Sequence, residues 1–252
     1  MTSTYETVIS ECDEEGVRTL TLNRPQRLNA MNRQLILDVA AAFNDANADQ
    51  ATRVIIFTGN GRAFCAGDDR HEHEHPDSEA QAREFVELIQ DATRAIVLGE
   101  KPVIGAINGW AAGGGFEWAI NCDFAIWGES ARGFFPEVSL NLFVTGGVTV
   151  LLPAMVGLQR AREMLFFGET YSAAALHEMG VAWRVVADDQ LMQAARETAL
   201  RITRLPSASF RSMKRVLMQT ACADFERALA LETEATVAGF LDPETTRLLK
   251  NF

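Results

Sequence analysis

The chain has 252 residues, of which 48% are hydrophobic and 23% charged, with a formal net charge of −11. That composition excludes wholesale disorder and leaves room for one large domain or two smaller ones. The negative field excludes nucleic acid and anionic lipid as natural partners, so any site for an anionic ligand must gather basic residues locally.

No run approaches the ~20 apolar residues of a membrane span, so no membrane partner is expected. The start, Met-Thr-Ser-Thr-Tyr-Glu, lacks the basic segment and apolar stretch of a signal peptide. Cys12, Cys65, Cys122 and Cys222 are scattered without a CxxC pair. They read as free thiols in a reducing cytoplasm.

In chain order, residues 4–11 and 16–22 are β-rich around Glu14-Glu15-Gly16 and predict a hairpin, ended by Asn23-Arg24-Pro25. Residues 32–48 have helical spacing, with Asn32 as a cap. Residues 53–58 predict a short buried strand before the Gly59-Asn60-Gly61 turn. A helix is predicted over 79–98, strands over 102–107 and 123–127, and a short helix opening at Gly113-Gly114-Gly115. From Ser172 onward the pattern turns almost entirely helical, with helices over 189–204, 207–220 and 222–239. The residues alone thus predict a mixed α/β core followed by a helical tail.

Four constellations can carry chemistry. Gly61-Arg62-Ala63-Phe64-Cys65-Ala66-Gly67-Asp68-Asp69 follows a strand, and its small residues let backbone approach a ligand closely. An ordinary strand-end turn is the alternative. Asn108-Gly109-Trp110-Ala111-Ala112-Gly113-Gly114-Gly115-Phe116-Glu117 opens a helix with free N–H groups, a natural oxyanion site. It fits neither the dinucleotide fingerprint nor the P-loop; close helix–strand packing is its alternative. Glu117 and Glu137 lie in apolar contexts that raise a carboxyl pKa, as acid–base work requires, unless each caps a helix or pairs with an arginine. The fourth, His71-Glu72-His73-Glu74-His75, places alternate histidines on one face of an extended segment. Its hydrophilic setting before Pro76 reads as an exposed loop, and no metal site is expected.

In this order, "NRPQRLNAMN" (23–32), "GRAFCAGDD" (61–69), "KPVIGAINGWAAGGGFEWAINCD" (101–123) and "FPEVSL" (135–140) resemble the enoyl-CoA hydratase/isomerase, or crotonase, superfamily. Weaker support comes from 156–186. The resemblance runs from Asn23 to about Phe240. It implies a spiral of ββα units spanning 1–188, followed by a helical region at 189–252 that builds homotrimers or homohexamers.

Carried over residue by residue, the resemblance implies an oxyanion hole made by the backbone N–H groups of Asp68 and Gly114. Arg27, Leu28, Ala30 and Ala66 would line the coenzyme A side, with Asp69 ordering the loop. Glu117 and Glu137 fall where hydratases of the family carry two glutamates around one water. The implied reaction is hydration of a 2-enoyl-CoA. Δ3–Δ2 isomerisation, thioester hydrolysis, C–C cleavage and a non-catalytic CoA-binding role stand as alternatives. No cofactor is implied beyond the CoA of the substrate.

Two departures from the family pattern stand out. Where many hydratases read LGxxPGxGGTxRL, this chain carries Asn141, Val144 and Leu151 in place of Gly, Pro and Arg. These replacements predict a more apolar acyl wall, with Trp110 and the 71–75 loop contributing. The family's final helix is not expected after Asp242-Pro243, although Arg247 and Lys250 remain candidates for contacts to CoA phosphates.

Overall fold

β-Branched strands joined by crossovers build two sheets in the computed structural model, which describes residues 5–251. The larger sheet has the order β1 (Val8–Cys12), β2 (Val17–Leu22), β3 (Val54–Gly59), β5 (Val103–Ile107), β7 (Phe124–Gly128), β10 (Arg184–Val186). Only β1 runs antiparallel. The smaller sheet has the order β4 (Ala63–Cys65), β6 (Trp110–Ala112), β8 (Arg132–Phe134), β9 (Tyr171–Ser172), with β9 antiparallel.

After the β1–β2 hairpin, which lies wholly in the large sheet, each turn of the chain from β3 to β8 lays one strand in the large sheet and the next in the small one. It then crosses over through α2 (Glu79–Val97), α3 (Gly114–Asn121) or α4 (Val148–Val156). This is the expected ββα spiral. β3 and β5 are buried along their whole length, as central parallel strands covered on both faces must be. One face packs against α1 (Arg33–Ala48), α2 and α3 around Phe43, Phe57, Phe64 and Trp118. The other is covered by α7 (Leu191–Thr203) through Leu191, Ala195 and Ala199.

The local signals act as expected. Asn32 accepts the Leu35 N–H at 2.9 Å and Ser78 accepts the Gln81 N–H at 3.2 Å, each capping a helix start. The hairpin forms over Val8–Leu22; the first residue predicted for it, Thr4, lies outside the described residues.

Beyond Ser172 the chain is less purely helical than its pattern predicts. Ser172 caps α6 (Ala173–Glu178), but β10 then returns to the edge of the large sheet beside β7. α4 and α5 (Leu158–Phe167) fill 148–167, a stretch without a predicted element. The expected absence of a helix after Asp242 is corrected, because α10 spans Pro243–Asn251. Proline at the first helical position has no N–H to lose, so Pro243 starts this helix. α8 (Ser207–Ala221) is anchored by buried Lys214, which donates to Asp123 at 2.8 Å and to the Lys101 carbonyl at 3.1 Å. α9 (Phe225–Leu241) packs on α2 through Val237 and Phe240.

The segment between β2 and α1 is fixed by one side chain. Leu28 and Asn29 both have positive φ, 53° and 54°. Asn29 is fully buried; its Oδ1 accepts the Arg24 N–H, and its Nδ2 donates to the carbonyls of Asn60 and Ala63. Asparagine tolerates this backbone better than most residues, and its amide satisfies three backbone groups at once. Asn29→Ala strands those groups, and we expect urea denaturation to give a loss on the order of 2–4 kcal/mol.

Candidate active site

All nine candidate residues face one cleft of about 500 Å³: Arg27, Leu28, Ala30, Ala66, Asp68, Asp69, Gly114, Glu117 and Glu137. The 28–31 and 66–69 segments are laced together. The Ala66 N–H donates to the Leu28 carbonyl (3.1 Å), Met31 N–H to Gly67 (2.7 Å) and Asp69 N–H to Met31 (3.0 Å). The Asp68 amide is skipped by this ladder. Gly67 has φ +83°, a conformation that only glycine adopts without strain, and it turns the chain at that point.

The Gly114 amide is left over for a different reason. It belongs to the first turn of α3, where N–H groups have no carbonyl one turn back. Among the described residues, neither the Asp68 nor the Gly114 amide donates to a backbone or side-chain acceptor. α3 reaches this position because Gly115 presses on β4; a Cβ there would lie 2.2 Å from the Cys65 carbonyl oxygen.

Behind the amides lie the two glutamates. Glu117 is 2% exposed, and Thr145 donates to both its oxygens: N–H to Oε1 at 2.8 Å, hydroxyl to Oε2 at 2.5 Å. Burial raises its pKa to about 7 against the opposing pull of those bonds. Glu137 opens a 3-10 turn, Glu137–Leu140, and its Oε1 would touch a Cβ on Gly113 at 2.6 Å. Its Oε2 is buried without a partner among the described residues. Burial first, then the Glu117 charge, push its pKa well above the ordinary carboxyl value.

The 145–149 turn that holds Glu117 is itself held by side chains that the sequence reading does not single out. The Gly146 N–H donates to Gln90 Oε1 at 3.2 Å. Glu232, fully buried on α9, accepts the N–H groups of Gly147 (2.8 Å) and Thr149 (2.9 Å) and the Thr149 hydroxyl (2.6 Å). Burial also raises its pKa to about 7. A signal for Glu232 exists, since it falls on the buried α9 stripe that includes Leu229, Thr233, Thr236 and Phe240.

The rim and walls differ in character. Arg27 and Arg70 stand exposed at the mouth. Asp69 is buried and accepts from Arg24 at 2.9 Å and from the His71 N–H at 3.1 Å; Arg24 also reaches the Ala30 carbonyl and Glu72. Much of the cleft's lining is apolar, including Trp110, Phe134, Leu142, Phe143, Phe240 and Leu249.

Two expectations need correction. Asn141, Val144 and Leu151 do not line the cleft; Val144 and Leu151 are buried in the core, and their neighbours Leu142 and Phe143 supply the wall. The 71–75 loop is not uniformly exposed, because the His73 side chain is 6% accessible and stacks on Phe240. No group of three or more His, Cys, Asp or Glu among the described residues could hold a metal ion. Arg247 pairs with Glu244 on the exposed face of α10.

The sequence model of the enoyl-CoA hydratase/isomerase family matches residues 13–243. The chain belongs to the enoyl-CoA hydratase/isomerase family. It is 35% identical over 232 residues to a crotonyl-CoA hydratase of Syntrophomonas wolfei, covering 92% of this chain and 88% of that one. It is 33% identical over 227 residues to a 1,2-epoxyphenylacetyl-CoA isomerase of Escherichia coli, covering 88% and 86%. Among solved structures, an enoyl-CoA hydratase/isomerase from Mycobacterium paratuberculosis superposes with a TM-score of 0.91 at 26% identity, over 98% of each chain.

The buried acids carry a stability signature. In the unfolded chain a glutamate titrates near 4.5, and in the fold Glu117 titrates at about 7. The folded state therefore holds this proton more tightly. The stability so gained is complete below the unfolded value and is lost as the pH rises through about 7. We expect urea midpoints to fall between about pH 5 and about pH 8, and Glu117→Gln to flatten that fall.

Proposed function

We propose that this protein adds water across the 2,3 double bond of an enoyl-CoA thioester. The observation that carries the proposal is the placement of two unpaired amides and two buried carboxyls on one cleft. The likeness to a crotonyl-CoA hydratase supports it.

The thioester carbonyl oxygen takes the position facing the Asp68 and Gly114 N–H groups. CoA extends toward Leu28, Ala30 and Ala66, with Arg27 offering charge to its phosphates. Glu117 titrates near neutrality, so an ionised fraction is present to accept a proton from water. The water oxygen bonds to Cβ, and the π electrons move onto the thioester as an enolate held by the two amides. Glu137, whose pKa burial and the Glu117 charge raise well above the ordinary carboxyl value, delivers a proton to Cα. The hydroxyl on Cβ and the proton on Cα sum to one added water, and passage of the proton held by Glu117 back to Glu137 restores the starting state. Because the two acids interact, their titrations belong to the pair. The apolar wall suits a bulky aliphatic or aromatic acyl group.

The helical region 189–252 we assign to a homotrimer, alone or paired into a hexamer. α8 turns Met213, Val216 and Leu217 to solvent, and Phe166 and Phe167 end α5 exposed. Clustered apolar side chains of this kind mark a protein contact. Light scattering should give a trimer or hexamer mass, and Val216→Asp with Leu217→Asp should lower it.

Purified protein incubated with 2-enoyl-CoA and 3-enoyl-CoA thioesters, short, branched and aromatic, tests the chemistry by product mass. Gain of one water from a 2-enoyl ester is expected; isomerised 3-enoyl esters without that gain would replace hydration by isomerisation. Glu137→Gln should lower kcat by on the order of 10²–10⁴ while leaving thioester affinity within about threefold.

A further inference from the structure

The residue offering one of the two unpaired amides is an aspartate, so a negative charge sits on the same residue as an N–H proposed to bind an oxyanion. Asp68 occupies the partition between the main cleft and a second cavity of about 200 Å³ behind the 66–69 loop. Its Oδ2 lies 2.9 Å from His73 Nδ1, and the ring lines the second cavity. With a carboxylate as its partner, Nδ1 carries the proton and donates. The ring is fixed from its face as well, stacked on Phe240 at 5.4 Å between centroids. Its Nε2 is buried with no partner among the described residues. Burying an imidazole with one nitrogen unsatisfied is costly unless the other nitrogen has a use.

We propose that His73 is a positioning residue that holds the Asp68 carboxylate in the second cavity, so that Asp68 presents to the thioester its amide and not its charge. The inference rests on the oxyanion role proposed for that amide. A carboxylate free to swing into the cleft would repel the enolate oxygen. Like charges a few ångström apart in a partly buried site oppose such a step by on the order of tenfold to hundredfold in rate. The motif His71-Glu72-His73-Glu74-His75 thereby divides into distinct tasks. His71 lines the cleft, Glu72 pairs with Arg24, His73 takes Asp68, and His75 contacts Thr246.

The test compares wild type with His73→Phe, His73→Asn, Asp68→Ala and the double variant Asp68→Ala/His73→Phe. Phenylalanine keeps the stack on Phe240 and loses the donor; asparagine keeps an N–H near the Nδ1 position. Two readouts are taken: kcat on a competent 2-enoyl-CoA, and the carbonyl stretch of a bound saturated acyl-CoA by isotope-edited infrared difference. We expect His73→Phe to lower kcat about tenfold or more and to return the carbonyl stretch toward its solution frequency. His73→Asn should recover most of both. In the Asp68→Ala background, adding His73→Phe should change kcat by less than about twofold. An equal penalty with and without the Asp68 carboxylate would assign His73 to packing alone and overturn the proposal. So would an unaltered carbonyl stretch in His73→Phe. If the wild type hydrates no enoyl ester, the hydratase reading fails and the carbonyl stretch alone decides this one. If the wild type leaves a bound carbonyl at its solution frequency, the oxyanion assignment and this inference fall together.

Discussion

The carboxyl groups of Glu117, Glu137 and Glu232 are buried around the cleft and its supporting turn, and no cation bonds to any of them among the described residues. Desolvation is the dominant force on each, and much of the surrounding structure answers to it. Glu232 receives three donors from the Gly147–Thr149 turn, Glu117 receives two from Thr145, and the Glu137 carboxyl receives none from a side chain. Burial raises all three above the ordinary carboxyl range, Glu117 and Glu232 to about 7 against the pull of their donors, and Glu137 with the charge of Glu117 added to the desolvation. Supplying those donors requires the 145–149 turn to stay fixed. That turn is pinned by Gln90 on α2, Glu117 on α3 and Glu232 on α9. Through Glu232, α9 therefore helps hold the surroundings of the two cleft glutamates and does not merely cover them.

The amides face the converse problem. An N–H without an acceptor in a folded chain is unfavourable, and the fold must impose two of them on one cleft. Both arise from backbone that cannot relax. Asp68 lies between two residues committed to Met31, and Gly114 belongs to a helix start pressed against β4 by the missing side chain of Gly115. Buried ionic and amide contacts secure this geometry. Arg24 links Asp69 to the Ala30 carbonyl, and Asn29 fixes the left-handed turn before it. Rigidity here is stored one layer back from the surface a ligand meets.

Much of this was legible in the sequence. Caps such as Asn32 and Ser78, apolar runs such as 54–58, and the glycines at 113–115 act locally, and local rules predict them. The candidate residues were carried by motif resemblance, since nothing in periodicity distinguishes Glu137 from a helix cap. What escaped depends on contacts between distant segments. Glu232 meets Thr149 across more than eighty residues, and His73 is drawn out of a hydrophilic loop by Phe240. β10 was hidden because a three-residue edge strand leaves almost no pattern, and α10 because a terminal amphipathic turn after proline resembles a loop.

The departures in the 140–152 segment show how a substitution can shape a pocket without touching it. Asn141 adopts φ 57°, the backbone that glycine takes freely where the family pattern has Gly. Asparagine is among the least strained replacements, and here its side chain gains a task. Its Nδ2 donates to Asp242 at 3.0 Å and to Thr245 at 3.1 Å, and the Thr245 hydroxyl returns a bond to the Asn141 carbonyl. Those three bonds fasten the start of α10 against the turn that follows Glu137. With its first turn fixed there, α10 brings Leu249 to the apolar wall of the cleft, one face of a helix whose other face carries Arg247. Val144 and Leu151 likewise act from the core, on the segment that brings Leu142 and Phe143 to the cleft. The apolar wall of the cleft thus depends on how the 140–152 segment and α10 lock together, through residues that lie outside the cleft surface.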